Sequence, residues 1–179
     1  MAGSQYIYSV RVVEDFPKAI GWLGESAGFW VQTSAFLISA LAAVLVIYYN
    51  GKQARVRALI DLMMKLKSDD KLVEATRRVN ALKSNGEKLS THVGGDSQER
   101  KDILLVLNNQ EFIAVGIRLK AFDEGVYKQS QYSNVVRLWN ACKGFIYELR
   151  EADGINTLFQ DFEKLAKKWE SKPIKNINK

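Results

Sequence analysis

The sequence predicts an all-α protein: a single N-terminal transmembrane helix followed by a cytoplasmic bundle of about five amphipathic helices. Three observations predict it. Residues 29–49 form an apolar run without charge, glycine or proline. Beyond that run Leu, Lys, Ala and Glu recur, with apolar residues at helical rather than alternating spacing. Only two prolines occur, Pro17 and Pro173, and they bracket everything between.

The apolar run comes first because it sets the address of the rest. At helical rise its length is about 30 Å, the hydrocarbon thickness of a bilayer. A backbone in lipid must satisfy its own hydrogen bonds, so a spanning segment is a helix. Trp22 and Trp30 mark one end and Tyr48 and Tyr49 the other, as interfacial aromatics do. The run starts too late and follows too acidic a leader for a cleaved signal peptide. Lys52, Arg55, Arg57, Lys65 and Lys67 follow it closely, whereas only Lys18 stands at a comparable distance before it. Positive charge marks the cytoplasmic side, so the N-terminus is expected outside and the C-terminal domain in the cytoplasm of an inner membrane. Ala35, Ser39 and Ala43 form a stripe of small residues on which two such helices can approach closely.

The chain divides accordingly into a leader (1–28), the transmembrane helix (29–49), a cytoplasmic helical domain (50–171) and a basic tail (172–179). In the leader, residues 17–24 read as an interfacial turn or as part of a disordered tail. The overall charge is +6. Basic residues are mixed with acids along most helices, which disfavours a nucleic-acid stripe and favours a surface beside anionic lipid. Cys142 is the sole cysteine, so no internal disulfide forms, and its apolar surroundings predict a buried thiol.

Past the membrane run, Val56, Leu59, Ile60, Met63 and Leu66 predict a helix over about 52–67, with Asn50-Gly51 either interrupting it or absorbed into it. Ser68-Asp69-Asp70 opens a second helix, about 70–84, which Asn85-Gly86 stops. Residues 85–97 are a polar connector holding the only histidine, His92, which lacks the companions a metal site needs. Asp96-Ser97-Gln98-Glu99 reads as a capping box for a helix reaching about 122. That helix is apolar on most faces and is expected at the centre. Asp123-Glu-Gly125 leads into a short helix through Ser130, then a separate one spans Tyr132–Glu151. Asp153-Gly154 ends it, and Asn156 is expected to cap the last helix, whose core face runs from Leu158 to Trp169.

Glu111, inside the central apolar run, calls for a partner, with Arg118, Lys120 and Arg137 as candidates. No nucleophile–base pair, phosphate loop or metal-ligand spacing accompanies it, so neither an enzyme nor a cofactor is expected.

Several segments resemble domain-of-unknown-function family 4760 of bacteria and their phages. They are Arg57-Ala-Leu-Ile-Asp-Leu-Met63, Leu107-Asn-Asn-Gln-Glu-Phe-Ile-Ala-Val-Gly-Ile-Arg118, Asp123-Glu-Gly-Val-Tyr127, Val136-Arg-Leu-Trp139, Phe145-Ile-Tyr-Glu-Leu-Arg150 and Leu158-Phe-Gln-Asp-Phe-Glu-Lys-Leu-Ala166, with Trp169. The resemblance implies the helical fold, an N-terminal membrane helix and a setting such as phage exclusion or defence. It brings no reaction. It also implies that Glu111, Arg118, Asp123, Arg137 and Arg150 matter to the module, as a buried polar network. Together these readings favour a membrane-anchored, self-associating interaction module, with the bilayer, further copies of itself and a protein at the inner membrane face as partners. A subunit of a small oligomeric channel is the alternative.

Overall fold

The computed structural model describes residues 27–174. The leader up to residue 26, including Trp22, and the last five residues of the basic tail lie outside the described residues; residues 27 and 28 of the leader open the first helix. The described residues hold five α-helices and a 3-10 turn, with no strand among them. The chain divides into two units, Met1–Tyr48 and Tyr49–Lys179, and helix α1 (Ala27–Lys67) belongs to both.

In the first unit α1 carries the apolar run. Side chains from Val31 to Ile47, apart from the half-buried Thr33, stand open to the surroundings, Phe36, Leu37, Ile38, Leu41 and Leu45 among them. No residue of its most apolar window is buried against the rest of the chain. By length and composition this stretch can cross a membrane.

In the second unit α1 continues through Asn50-Gly51 to Lys67 without a break. A glycine inside a helix costs only about 1 kcal/mol, which the packing beyond it outweighs. Leu59 is fully buried, and Leu62, Met63 and Leu66 pack against the core, while Ile60 points away. Asp69 caps α2 (Asp70–Ser84), accepting from the backbone N–H groups of Lys71 and Leu72 at 3.1 Å. Gly86, at φ +77°, closes α2 by the expected glycine stop, with Glu87 N–H bonded to the Leu82 carbonyl.

The polar connector forms a 3-10 turn over Leu89–His92 that buries Leu89, and Arg100 Nε donates to the Val93 carbonyl at 2.8 Å to hold it. Ser97 caps α3 (Gln98–Arg118) through the Arg100 N–H. The acid of the expected box, Glu99, therefore sits one place too early for the reciprocal bond. Helix α3 ends four residues before Phe122. Ala121 N–H reaches back to the Gly116 carbonyl at 2.8 Å and Lys120 N–H to Ile117, which puts Lys120 in the left-handed region at φ +59°.

Asp123 caps α4 through Val126 N–H at 2.9 Å, and α4 runs unbroken from Glu124 to Asp153. The break expected near residue 131 is absent, and the Ser130 hydroxyl bonds its own helix carbonyls at Val126 and Tyr127. Gly154, at φ +67°, ends it. The last helix, α5 (Gln160–Ser171), starts later than expected. Asn156 does not cap it; Phe159 precedes it at φ +55°, with its side chain buried.

Helix α3 packs between α2 and α5, and α4 packs on α5 and on the 3-10 turn. Trp139, Phe145, Phe162 and Trp169 are fully buried among aliphatic side chains. Trp139 meets Phe162 edge to face at 5.9 Å, and Tyr132 stacks on Trp169 at 6.3 Å.

Candidate functional site

Helix α2 packs chiefly on α3, and α4 on α5 and the 3-10 turn, so a cleft remains between α2, α3 and α4. It has two adjoining parts. The polar part, about 420 Å³, is lined by Thr76, Asn80 and Lys83 from α2, Asn109 and Gln110 from α3, and Gln131, Asn134 and Arg137 from α4, over a floor that includes Val79 and Val106. The more apolar part, about 260 Å³, shares Leu72, Thr76, Asn109, Gln110 and Gln131 and adds Met63, Leu66, Lys67, Val73, Ile113 and Tyr127.

Helical spacing assembles this lining. Thr76, Asn80 and Lys83 rise along one face of α2, as Gln131, Asn134 and Leu138 do along α4. Some of these groups are already engaged: Tyr127 donates to Gln110 Oε1 at 3.0 Å, and Asn134 Nδ2 donates to Gln131 Oε1 at 2.9 Å. Burial raises the Tyr127 phenol well above its ordinary range, so it acts as a donor and not as an acid. The side-chain amides of Asn80 and Asn109, and the cations of Lys83 and Arg137, have no hydrogen bond or ion pair among the described residues. No carboxylate, histidine or cysteine belongs to either lining.

The five residues expected as one polar network do not form one: Glu111 and Arg118 meet at Asp161, and the other three lie apart. Glu111 does not pair with Arg118, Lys120 or Arg137. Its carboxylate caps α5 from across the bundle, with Oε2 accepting from Phe162 N–H at 2.7 Å and Oε1 from Asp161 N–H at 3.2 Å. Arg118 joins the same corner by its ion pair with the buried Asp161, at 2.9 Å. Asp123 is the α4 cap. Arg150 lies beside the segment between α4 and α5, donating to the Leu158 carbonyl at 2.9 and 2.6 Å and pairing with Glu163 at 2.8 Å. Burial opposes ionisation of Glu163, but hydrogen bonds from Lys167 and Arg150 outweigh it and hold the carboxyl below its usual range. Arg137 alone of the five faces the cleft.

Two further polar clamps carried no local signal. Arg78 grips the buried Asp102 with two nitrogens, one at 3.0 Å, and Gln98 adds a third bond at 2.9 Å. The Arg78 guanidinium holds Asp102 below the ordinary carboxylate range. Glu124 receives Trp169 Nε1 at 3.1 Å and Lys168 Nζ at 2.7 Å, tying the start of α4 to the end of α5.

On α1, Ala35, Ser39 and Ala43 are exposed along one face, and Tyr48, Tyr49, Lys52 and Arg57 are exposed, with Arg55 half-buried. Trp30 contacts Phe29 edge to face at 5.7 Å. Cys142 is buried and its thiol is pushed up to about 12, so it is inert at neutral pH. His92 faces Glu87 at 3.6 Å, and no cluster able to hold a metal occurs among the described residues.

The central helix is less enclosed than its sequence suggests. Leu105 and Phe112 on α3 and Leu119 just past its end, seven residues apart, are 40, 57 and 64 % exposed and form an open apolar ridge.

No match was found among curated proteins or among solved structures. A family model, "Domain of unknown function (DUF4760)", matches residues 33–169, which takes in the apolar part of α1 as well as the bundle. With three quarters of its length inside that match, the chain belongs to the DUF4760 family.

Proposed function

We propose that this protein is a single-pass, membrane-anchored helical module that acts by binding rather than by catalysis. The observation that carries the reading is α1: an apolar helical stretch of bilayer length with none of the residues of its most apolar window buried by the chain. Left in water, such a surface is a strong drive to associate or insert. The basic residues Lys52, Arg55 and Arg57 follow it at once, which supports a cytoplasmic bundle and an N-terminus on the far side of an inner membrane. The stripe Ala35, Ser39, Ala43 supports self-association within the bilayer, and the α3 ridge is a second surface for protein contact. The bacterial or phage setting, and a part in excluding phage, belong to this proposal on the family resemblance alone.

Self-association is tested on the full chain in mild detergent by light scattering. The chain is expected as an oligomer, and Ala35→Leu with Ser39→Leu is expected to reduce it to a monomer while leaving the helical melting curve of the bundle in place. A doubly substituted chain of unchanged mass would remove the stripe from the proposal.

A further inference from the structure

The cleft between α2, α3 and α4 has a chemical bias of its own, independent of how α1 anchors or assembles the chain. Two cations, Lys83 from α2 and Arg137 from α4, line its polar part without a carboxylate beside them. Lys83 is half-buried, so its charge is poorly screened by solvent. The cleft is therefore electropositive. Five carboxamides, Asn80, Asn109, Gln110, Gln131 and Asn134, crowd the same space. Asn80 and Asn109, unengaged within the described residues, each offer a donor and an acceptor side by side, the pattern that matches the edge of a nucleobase. Gln110 is partly engaged with Tyr127, and Gln131 and Asn134 with each other. The adjoining recess is apolar, with Leu66, Val73 and Ile113 in its walls, and suits the face of a planar ring. Its size together with that of the polar part falls in the range of small-molecule sites.

We propose that this cleft binds a small nucleoside phosphate. The base enters the apolar recess and is read along its edge by Asn109 and its neighbouring amides. The phosphate sits between Lys83 and Arg137, where a guanidinium fork and an ammonium meet it from two helices. The lining contains no carboxylate, histidine or thiol to move a proton or attack the ligand, so the site binds and does not turn over. Because α2 and α4 both contribute, occupancy draws together two helices that do not pack closely on one another.

The test is equilibrium dialysis of the full chain in detergent against labelled AMP and GMP, with adenosine, ribose 5-phosphate and inorganic phosphate as competitors. At least one nucleotide is expected to bind saturably in roughly the micromolar range. Adenosine, ribose 5-phosphate and inorganic phosphate are each expected to compete at least about 10-fold less well than the nucleotide that binds, as loss of one group of contacts requires. Arg137→Ala, Lys83→Ala and Asn109→Ala are each expected to weaken binding about 10-fold or more, and Lys143→Ala, on the neighbouring surface of α4, to leave it unchanged. Circular dichroism melts check that each variant is folded. Absence of nucleotide binding at about 1 mM overturns the proposal, as does binding that inorganic phosphate matches or that folded Arg137 and Asn109 variants retain.

Discussion

Glu111 shows how much one side chain can do in this bundle. Helix α5 begins after a buried phenylalanine in the left-handed region, a residue that offers no capping oxygen. The first turn of any helix leaves backbone donors without partners. Glu111 meets two of them from α3, and its negative charge complements the helix dipole. Glu111→Ala is expected to cost about 1–2 kcal/mol, read as a lower melting midpoint, with Glu111→Gln losing less because its amide oxygen still accepts. Gly116 works through absence. A Cβ there would lie 2.3 Å from two ring carbons of Phe122, whose ring covers the α3 backbone. Gly116→Ala, favourable for an isolated helix, is therefore expected to destabilise the protein by roughly 1–3 kcal/mol. Adding Phe122→Leu should recover part of that loss in the same thermal melt. Full stability of the single variant would show that the ring has room to move.

The helices are held to one another by polar clamps between apolar faces. Arg78 and Asp102 join α2 to α3, Glu124 and Lys168 join α4 to α5, and Arg150 with Glu163 closes the other end of that pair. All three carboxylates sit below their ordinary values in the folded protein. A depressed carboxylate contributes stability above its unfolded value, and that contribution is lost as pH falls through the folded one. Stability is thus expected to hold from neutrality down to about pH 4–5 and to decline below it. In Asp102→Asn the midpoint should be lower at pH 7 and fall less steeply on acidification. An unchanged slope would mean that this clamp does not govern the acid limb.

Helix existence was legible in the sequence because apolar spacing and caps are local signals. Asp69, Ser97, Gly86 and Gly154 each acts where local chemistry places it. The continuity of α4 was not, since Ser130 and Gln131 look like a weak point until the serine hydroxyl is seen folded onto its own helix. Nor was the start of α5, because its cap comes from 50 positions earlier in the chain. The cleft was the least legible feature. Asn80, Asn109 and Asn134 are unremarkable polar residues singly, and only the packing of three helices makes them neighbours. Arg137 was singled out from the sequence, but as a member of a buried network it does not join.

At the scale of the whole molecule, the chain couples an uncovered apolar helix to a bundle whose own core is complete. Trp139, Trp169, Phe145 and Phe162 need nothing from residues 27–48 to be buried. The apolar run is then not core in search of a place, which favours the bilayer as its solvent. What the bundle leaves open, the α3 ridge and the polar cleft, is where binding is expected.

Protease protection in cells expressing the full chain tests the anchored, inward-facing topology most directly. After alkaline carbonate washing the chain should stay with the membranes. Its C-terminal tag should survive protease added to intact spheroplasts and be lost once they are lysed. Release by carbonate, or cleavage of the tag before lysis, would contradict the placement of the bundle behind a membrane-spanning α1.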